Sequence, residues 1–256
     1  MDWDDAYANA AHIPGADSYP PRWEAEAEAF RLMHRFDVLR YGLHARQELD
    51  LFFPQGDPLG LMVFVHGGYW LRFDRRSWSH LAAGALARGY AAALPSYPLA
   101  PEVGIPEITR SVAKAVQLAA DAVPGPVRLA GHSAGGHLVA RMACEDVDLD
   151  CRDRIARIVP ISPVADLRPM MKTAMGPQLH LTDAVCAAES PTLLPAPDLP
   201  VTVWVGADER PAFVDQARWL GEAWDCPVEI EIGRHHFDVI DGLASQDHIL
   251  SHTLFS

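Results

Sequence analysis

The residues best suited to chemistry lie in one short stretch, Gly131-His132-Ser133-Ala134-Gly135-Gly136-His137. A serine hydroxyl is a weak nucleophile until a base takes its proton, and it must stand clear of the backbone to reach a carbonyl carbon. The pattern Gly-x-Ser-x-Gly, set between the apolar run Pro126–Ala130 and a helical one, meets the second need. It predicts a strained strand-to-helix turn that lifts Oγ off a sheet, with Gly131 and Gly135 required because side chains there would collide. The helix opening at Ala134 would aim its free amides and its positive dipole end at the reacting centre.

Further signals fill the other roles. His66-Gly67-Gly68-Tyr69-Trp70 follows the apolar run Leu61–Val65. Glycine-lined backbone of this kind can present N–H groups to an oxyanion, giving Gly67, Gly68 and Ala134 as candidate donors. Tyr69, Trp70 and Arg72 become candidate pocket residues, with Arg75 and Arg76 as further cations close by. A serine also needs a base and a group that orients that base. Asp208 and Glu209 follow the apolar run Leu199–Gly206, and His235 and His236 follow Cys226–Gly233. The shorter carboxylate, nearer the turn, makes Asp208 the expected acid, with Glu209 solvent-facing or bound to a backbone amide. Adjacent histidines point in different directions, so one of the pair is the base; spacing does not choose between them.

The elements that must position these groups are legible as alternation. Strand-like runs at Gln47–Pro54, Leu59–Val65, within Leu86–Tyr97, Pro126–Ala130, Arg157–Ser162, Leu199–Gly206 and Cys226–Gly233 alternate with helical patterns such as 104–123, 134–146 and 211–224. This rhythm predicts a mostly parallel sheet with helices on both faces, where ligands bind beyond the carboxyl ends of the strands. Every candidate residue follows such a run. Residues 166–200, rich in Pro, Met and Leu, break the rhythm and are expected to be an insertion forming a lid or pocket wall within a single domain spanning 1–256.

Composition removes other classes. The 256 residues carry 34 acidic against 21 basic side chains, a net charge of −13, and only two lysines, Lys114 and Lys172. Such a surface repels a phosphate backbone, so no nucleic-acid partner is expected. No apolar run approaches the ~20 residues of a membrane span. The four cysteines stand singly, as expected for free thiols in a reducing cytoplasm. No HExxH, paired-cysteine or phosphate-loop pattern occurs, so neither metal nor cofactor is expected.

Taken together, HGGYW, SYPLAPE, GHSAGGHL, GADERPAFVDQARWL and the late HFDVI resemble the α/β-hydrolases of the kynurenine formamidase (arylformamidase) group, from about Leu61 to Ile240. Tyr7-Ala8-Asn9, Trp23 and the stretch Leu179–Pro191 extend the resemblance, and broader esterases with HGGG loops are similar less closely. The resemblance implies an α/β-hydrolase fold and a serine hydrolase with Ser133 as nucleophile, Asp208 as acid and His236 as base. It implies hydrolysis of an aryl formamide such as N-formylkynurenine, with an arginine after HGGYW available to hold a substrate carboxylate. Two alternatives stand beside it: a carboxylesterase or thioesterase using the same triad, and a catalytically silent fold that binds a ligand. The expected partner is a small amide or ester substrate, and a homodimer is allowed.

Overall fold

A computed structural model describes residues 2–256. Eight strands form one sheet: β1 (Phe36–Arg40), β2 (Glu48–Phe52), β3 (Leu61–Val65), β4 (Ala91–Pro95), β5 (Val127–His132), β6 (Ile155–Ile161), β7 (Val203–Gly206) and β8 (Val228–Glu231). Their order is β1-β2-β4-β3-β5-β6-β7-β8. β2 runs antiparallel to both of its neighbours, and all pairs from β4 to β8 are parallel.

The central strands are apolar without a break because both of their faces are covered. In β3, Leu61, Val63 and Val65 enter one core, whereas Met62 and Phe64 enter the other. Helices α4 (Ile105–Ala122), α5 (Ala134–Ala143) and α7 (Pro211–Trp224) close the first core through residues such as Ile108, Leu138 and Phe213. Helices α2 (Tyr19–Met33), α3 (Ala83–Ala87) and α8 (Ile249–Phe255) close the second through Trp23, Ala85 and Leu254. The edge strands β1 and β8 are half exposed, so their sequences carry charge.

Two elements escape a reading by periodicity. In α2 only Trp23 and Ala27 are buried, so its sequence shows a weak apolar stripe. β1 pairs on one side only, and its Asp37 and Arg40 hide the strand pattern. The segment 166–200 contains the short helix α6 (Asp183–Glu189) and buries Leu167, Met170, Leu179 and Cys186 in the first core. Among the described residues, no helix is long and apolar enough to cross a membrane. The four cysteines are free thiols.

Candidate active site

Ser133 sits where β5 ends and α5 begins, with φ 56° and ψ −115°. This is a strained backbone for a residue bearing a Cβ, and such strain persists only where the surroundings over-determine it. The glycines around it show how. A Cβ on Gly131 would strike Gly135 O, and one on Gly135 would strike the carbonyl oxygens of Val65 and His66. The elbow therefore packs directly against the end of β3. There a Cβ on Gly67 would stand 3.1 Å from Ser133 Cβ and 2.8 Å from His132 O.

That contact brings the HGG loop onto the serine. Among the described residues the Gly67 and Gly68 amides have no acceptor, and the Ala134 amide, in the first turn of α5, has no partner four residues back. Gly68, Tyr69 and Trp70 all have positive φ, of 107°, 55° and 59°. Two side chains hold this loop open. Tyr69 Oη donates to Tyr7 O at 2.7 Å and accepts from Asn9 Nδ2 at 3.1 Å. Trp70 is fully buried in the first core, edge-on to His137 at 5.2 Å. Trp70 therefore anchors the loop and lines no substrate space, a departure from its expected place in the pocket. Its neighbour Tyr69 does reach the cavity.

At the acid position the geometry again differs from expectation. His236 Nδ1 lies 2.6 Å from Glu209 Oε2, with both side chains buried. Asp208 is exposed, and its carboxylate makes no hydrogen bond among the described residues. The turn after β7 explains the reversal. The Asp208 amide donates to Arg234 O at 2.9 Å, and a Cβ on Gly206 would strike that same carbonyl. With the main chain pinned there, Asp208 falls on the outer side of the turn and Glu209 on the inner side. The extra methylene of glutamate spans the added distance to the imidazole. Glu209 Oε1 is held separately, by Gly206 N at 2.8 Å and Ser162 Oγ at 2.5 Å. The amide contact expected of Glu209 is thus present, together with the imidazole.

A carboxylate only accepts, so His236 Nδ1 is the donor in this contact, and in the neutral imidazole the lone pair falls on Nε2. Among the described residues Ser133 Oγ and His236 Nε2 have no hydrogen-bond partner, and the two residues line one cavity of about 530 Å³. His132 packs against His236 at 4.6 Å between ring centroids, and Phe213 at 4.2 Å. Burial, aided by repulsion from His236, holds the His132 imidazole well below its ordinary pKa, so it stays neutral. His235 faces elsewhere, with Nε2 3.0 Å from Tyr19 Oη.

About half of the residues lining the cavity belong to segment 4–23, which crosses the mouth of the site. Tyr7 and Trp23 from this strap face Phe73, Trp78 and Phe237, giving an aromatic chamber, while Asp17 and Arg72 add charge. Sequence reasoning missed the strap; the Tyr7-Ala8-Asn9 motif and Trp23 were its available signals. Segment 166–200 contributes Met175. Of the arginines, Arg72 is exposed at the cavity and lies 5.8 Å from the Tyr69 ring, whereas Arg75 is buried against Asp50 and Glu48. Arg76 is exposed and lies outside the cavity. Among the described residues, no cluster of three or more His, Cys, Asp or Glu could hold a metal ion.

Comparison with known proteins agrees with this architecture. A sequence profile of the α/β-hydrolase fold matches residues 62–195, more than half of the chain. The chain belongs to the α/β-hydrolase fold family and is a hydrolase. Among its relatives, kynurenine formamidase of Danio rerio is 25% identical over 84% of this chain and 78% of its own length. That of Drosophila melanogaster is 27% identical over 85% and 80%. A crystal structure from Silicibacter sp. TM1040, provisionally assigned as a thioesterase, is 52% identical over the whole of both chains, with a TM-score of 0.98. An esterase from Pyrobaculum calidifontis, 20% identical over 93% of this chain and 91% of its own, has a TM-score of 0.71 and shares the fold.

Proposed function

We propose that the protein is a serine hydrolase working through an acyl-enzyme, with Ser133 as nucleophile, His236 as general base and Glu209 as the acid that orients it. The observation that carries this reading is the 2.6 Å contact between Glu209 and His236 Nδ1, which leaves Nε2 free in the cavity that Ser133 lines. In acylation His236 Nε2 takes the Ser133 proton as Oγ attacks the carbonyl carbon, and Glu209 stabilises the imidazolium. The amides of Gly67 or Gly68 and of Ala134 receive the oxyanion. His236 then protonates the leaving amine, and water repeats the sequence to release the acid and restore the serine.

For the substrate we favour an aryl formamide of the N-formylkynurenine type. A glycine-lined oxyanion loop suits a minimal acyl group, and the chamber of Tyr7, Trp23, Phe73, Trp78 and Phe237 suits an aromatic amine. The kynurenine formamidases among the relatives support the same choice. A second reading, hydrolysis of short-chain esters or thioesters, is favoured by the 52% identical structure assigned as a thioesterase. Steady-state kinetics on N-formylkynurenine, p-nitrophenyl acetate and acetyl thioesters separate the two. A formamide kcat/KM at background, with esters or thioesters cleaved efficiently, would remove the first reading. Failure of a fluorophosphonate to label Ser133 would remove both.

A further inference from the structure

We infer that Ser162 is a positioning residue of the reaction: its hydroxyl fixes the Glu209 carboxylate so that the second oxygen meets His236. This rests on the reading of Glu209 as the acid.

Ser162 is fully buried at the end of β6, the strand between the one that delivers Ser133 and the one that delivers Glu209. Three hydrogen bonds at this point join the two sides. Ile161 O accepts from Ser133 N at 2.9 Å, Ser162 N donates to Trp204 O at 2.6 Å, and Ser162 Oγ donates to Glu209 Oε1 at 2.5 Å. Ser162 takes φ 47°, a left-handed conformation that a serine adopts at a cost. A residue that only ended the strand would be better served by glycine, which adopts this backbone freely. What glycine lacks is the hydroxyl.

The choice of glutamate explains the need. Glutamate has one more rotatable bond than aspartate, so an unrestrained carboxylate could turn away from the imidazole. Two donors on Oε1, Gly206 N and Ser162 Oγ, fix that last torsion and leave Oε2 on Nδ1. The hydroxyl also draws charge from the carboxylate. Without it, Glu209 bears more charge toward His236 and favours the imidazolium, so the neutral base forms only at higher pH. The other titratable or charged groups facing His236 are His132 at 4.6 Å between rings and, across a small side cavity, His12, Asp208 and Arg210. Substitution of Ser162 alters none of them.

The test uses Ser162→Gly, which removes the hydroxyl while accepting the left-handed backbone, with Ser162→Ala as a second variant and Glu209→Gln as the control for the acid itself. Rates of inactivation by a fluorophosphonate, and kcat/KM for p-nitrophenyl acetate, are followed from pH 5 to 9, with thermal melting recorded for each protein. Ser162→Gly is expected to acylate about tenfold more slowly, and its acid limb should move up by about half a pH unit. A merely structural serine would change the melting temperature and leave that limb in place. Wild-type rates and an unmoved limb in Ser162→Gly, beside a large loss in Glu209→Gln, would overturn the role of Ser162 alone. A Glu209→Gln protein as fast as wild type would overturn the acid assignment, and this inference with it.

Discussion

A shift of one position along a turn decides which carboxylate meets His236. Glu209→Gln keeps the shape but lets the side-chain amide present the wrong partner to Nδ1, and its kcat/KM is expected to fall on the order of 10²–10⁴-fold. Asp208→Asn, two residues past the same strand, should stay within about twofold of wild type, because its carboxylate faces solvent. Steady-state kinetics on any turned-over substrate decide the matter; a large loss in Asp208→Asn would reverse the assignment. Both residues were visible in the sequence as carboxylates after an apolar run. What was hidden was the long-range hydrogen bond from the Asp208 amide to Arg234 O, which sets the side of the turn each one occupies. Trp70 teaches the same lesson. A motif places an aromatic beside the HGG loop, but only packing against His137 and the sheet reveals that it faces inward.

At the level of elements, the turn that carries Ser133 was legible because its glycines answer to local sterics. Gly135→Ala would drive a methyl into the Val65 carbonyl, so the turn must distort or β3 must move. Loss of fluorophosphonate labelling is expected even if the protein stays folded. Labelling at the wild-type rate would mean that the elbow relaxes without cost. The seven apolar runs also declared themselves, because buried parallel strands tolerate little polarity. The strap over residues 4–23 did not, since it holds its place through scattered contacts with no periodic face: Asp4 Oδ1 accepts from Ala174 N, Asp5 pairs with Arg210, and Gln216 Nε2 donates to Tyr7 Oη. A further contact of the strap lies beside Ser133, through the HGG loop. Tyr69→Phe removes the bond between the HGG loop and Tyr7 O, and kcat is expected to fall about tenfold with KM little changed. A change confined to KM would assign Tyr69 to substrate binding alone.

For the molecule as a whole, buried imidazoles make stability depend on pH. Burial lowers His66 to about 4, His80 to about 4 and His137 to about 3, from an ordinary value of 6.5. The unfolded chain therefore binds more protons than the native one below pH 6.5. Stability from these groups is complete above that value and is lost as pH falls toward 4, by up to roughly 1.4 kcal/mol per unit for each histidine. Urea midpoints should fall steadily between pH 6.5 and 4.5; a flat profile would mean that other groups compensate. The division between strap and sheet has a last implication. The proposed reactive groups come from residues 67–236, whereas much of the chamber roof comes from residues 4–23. Preference for one acyl donor over another can then diverge through edits to that opening stretch alone, and swapping it between relatives should transfer selectivity while leaving the reaction machinery intact.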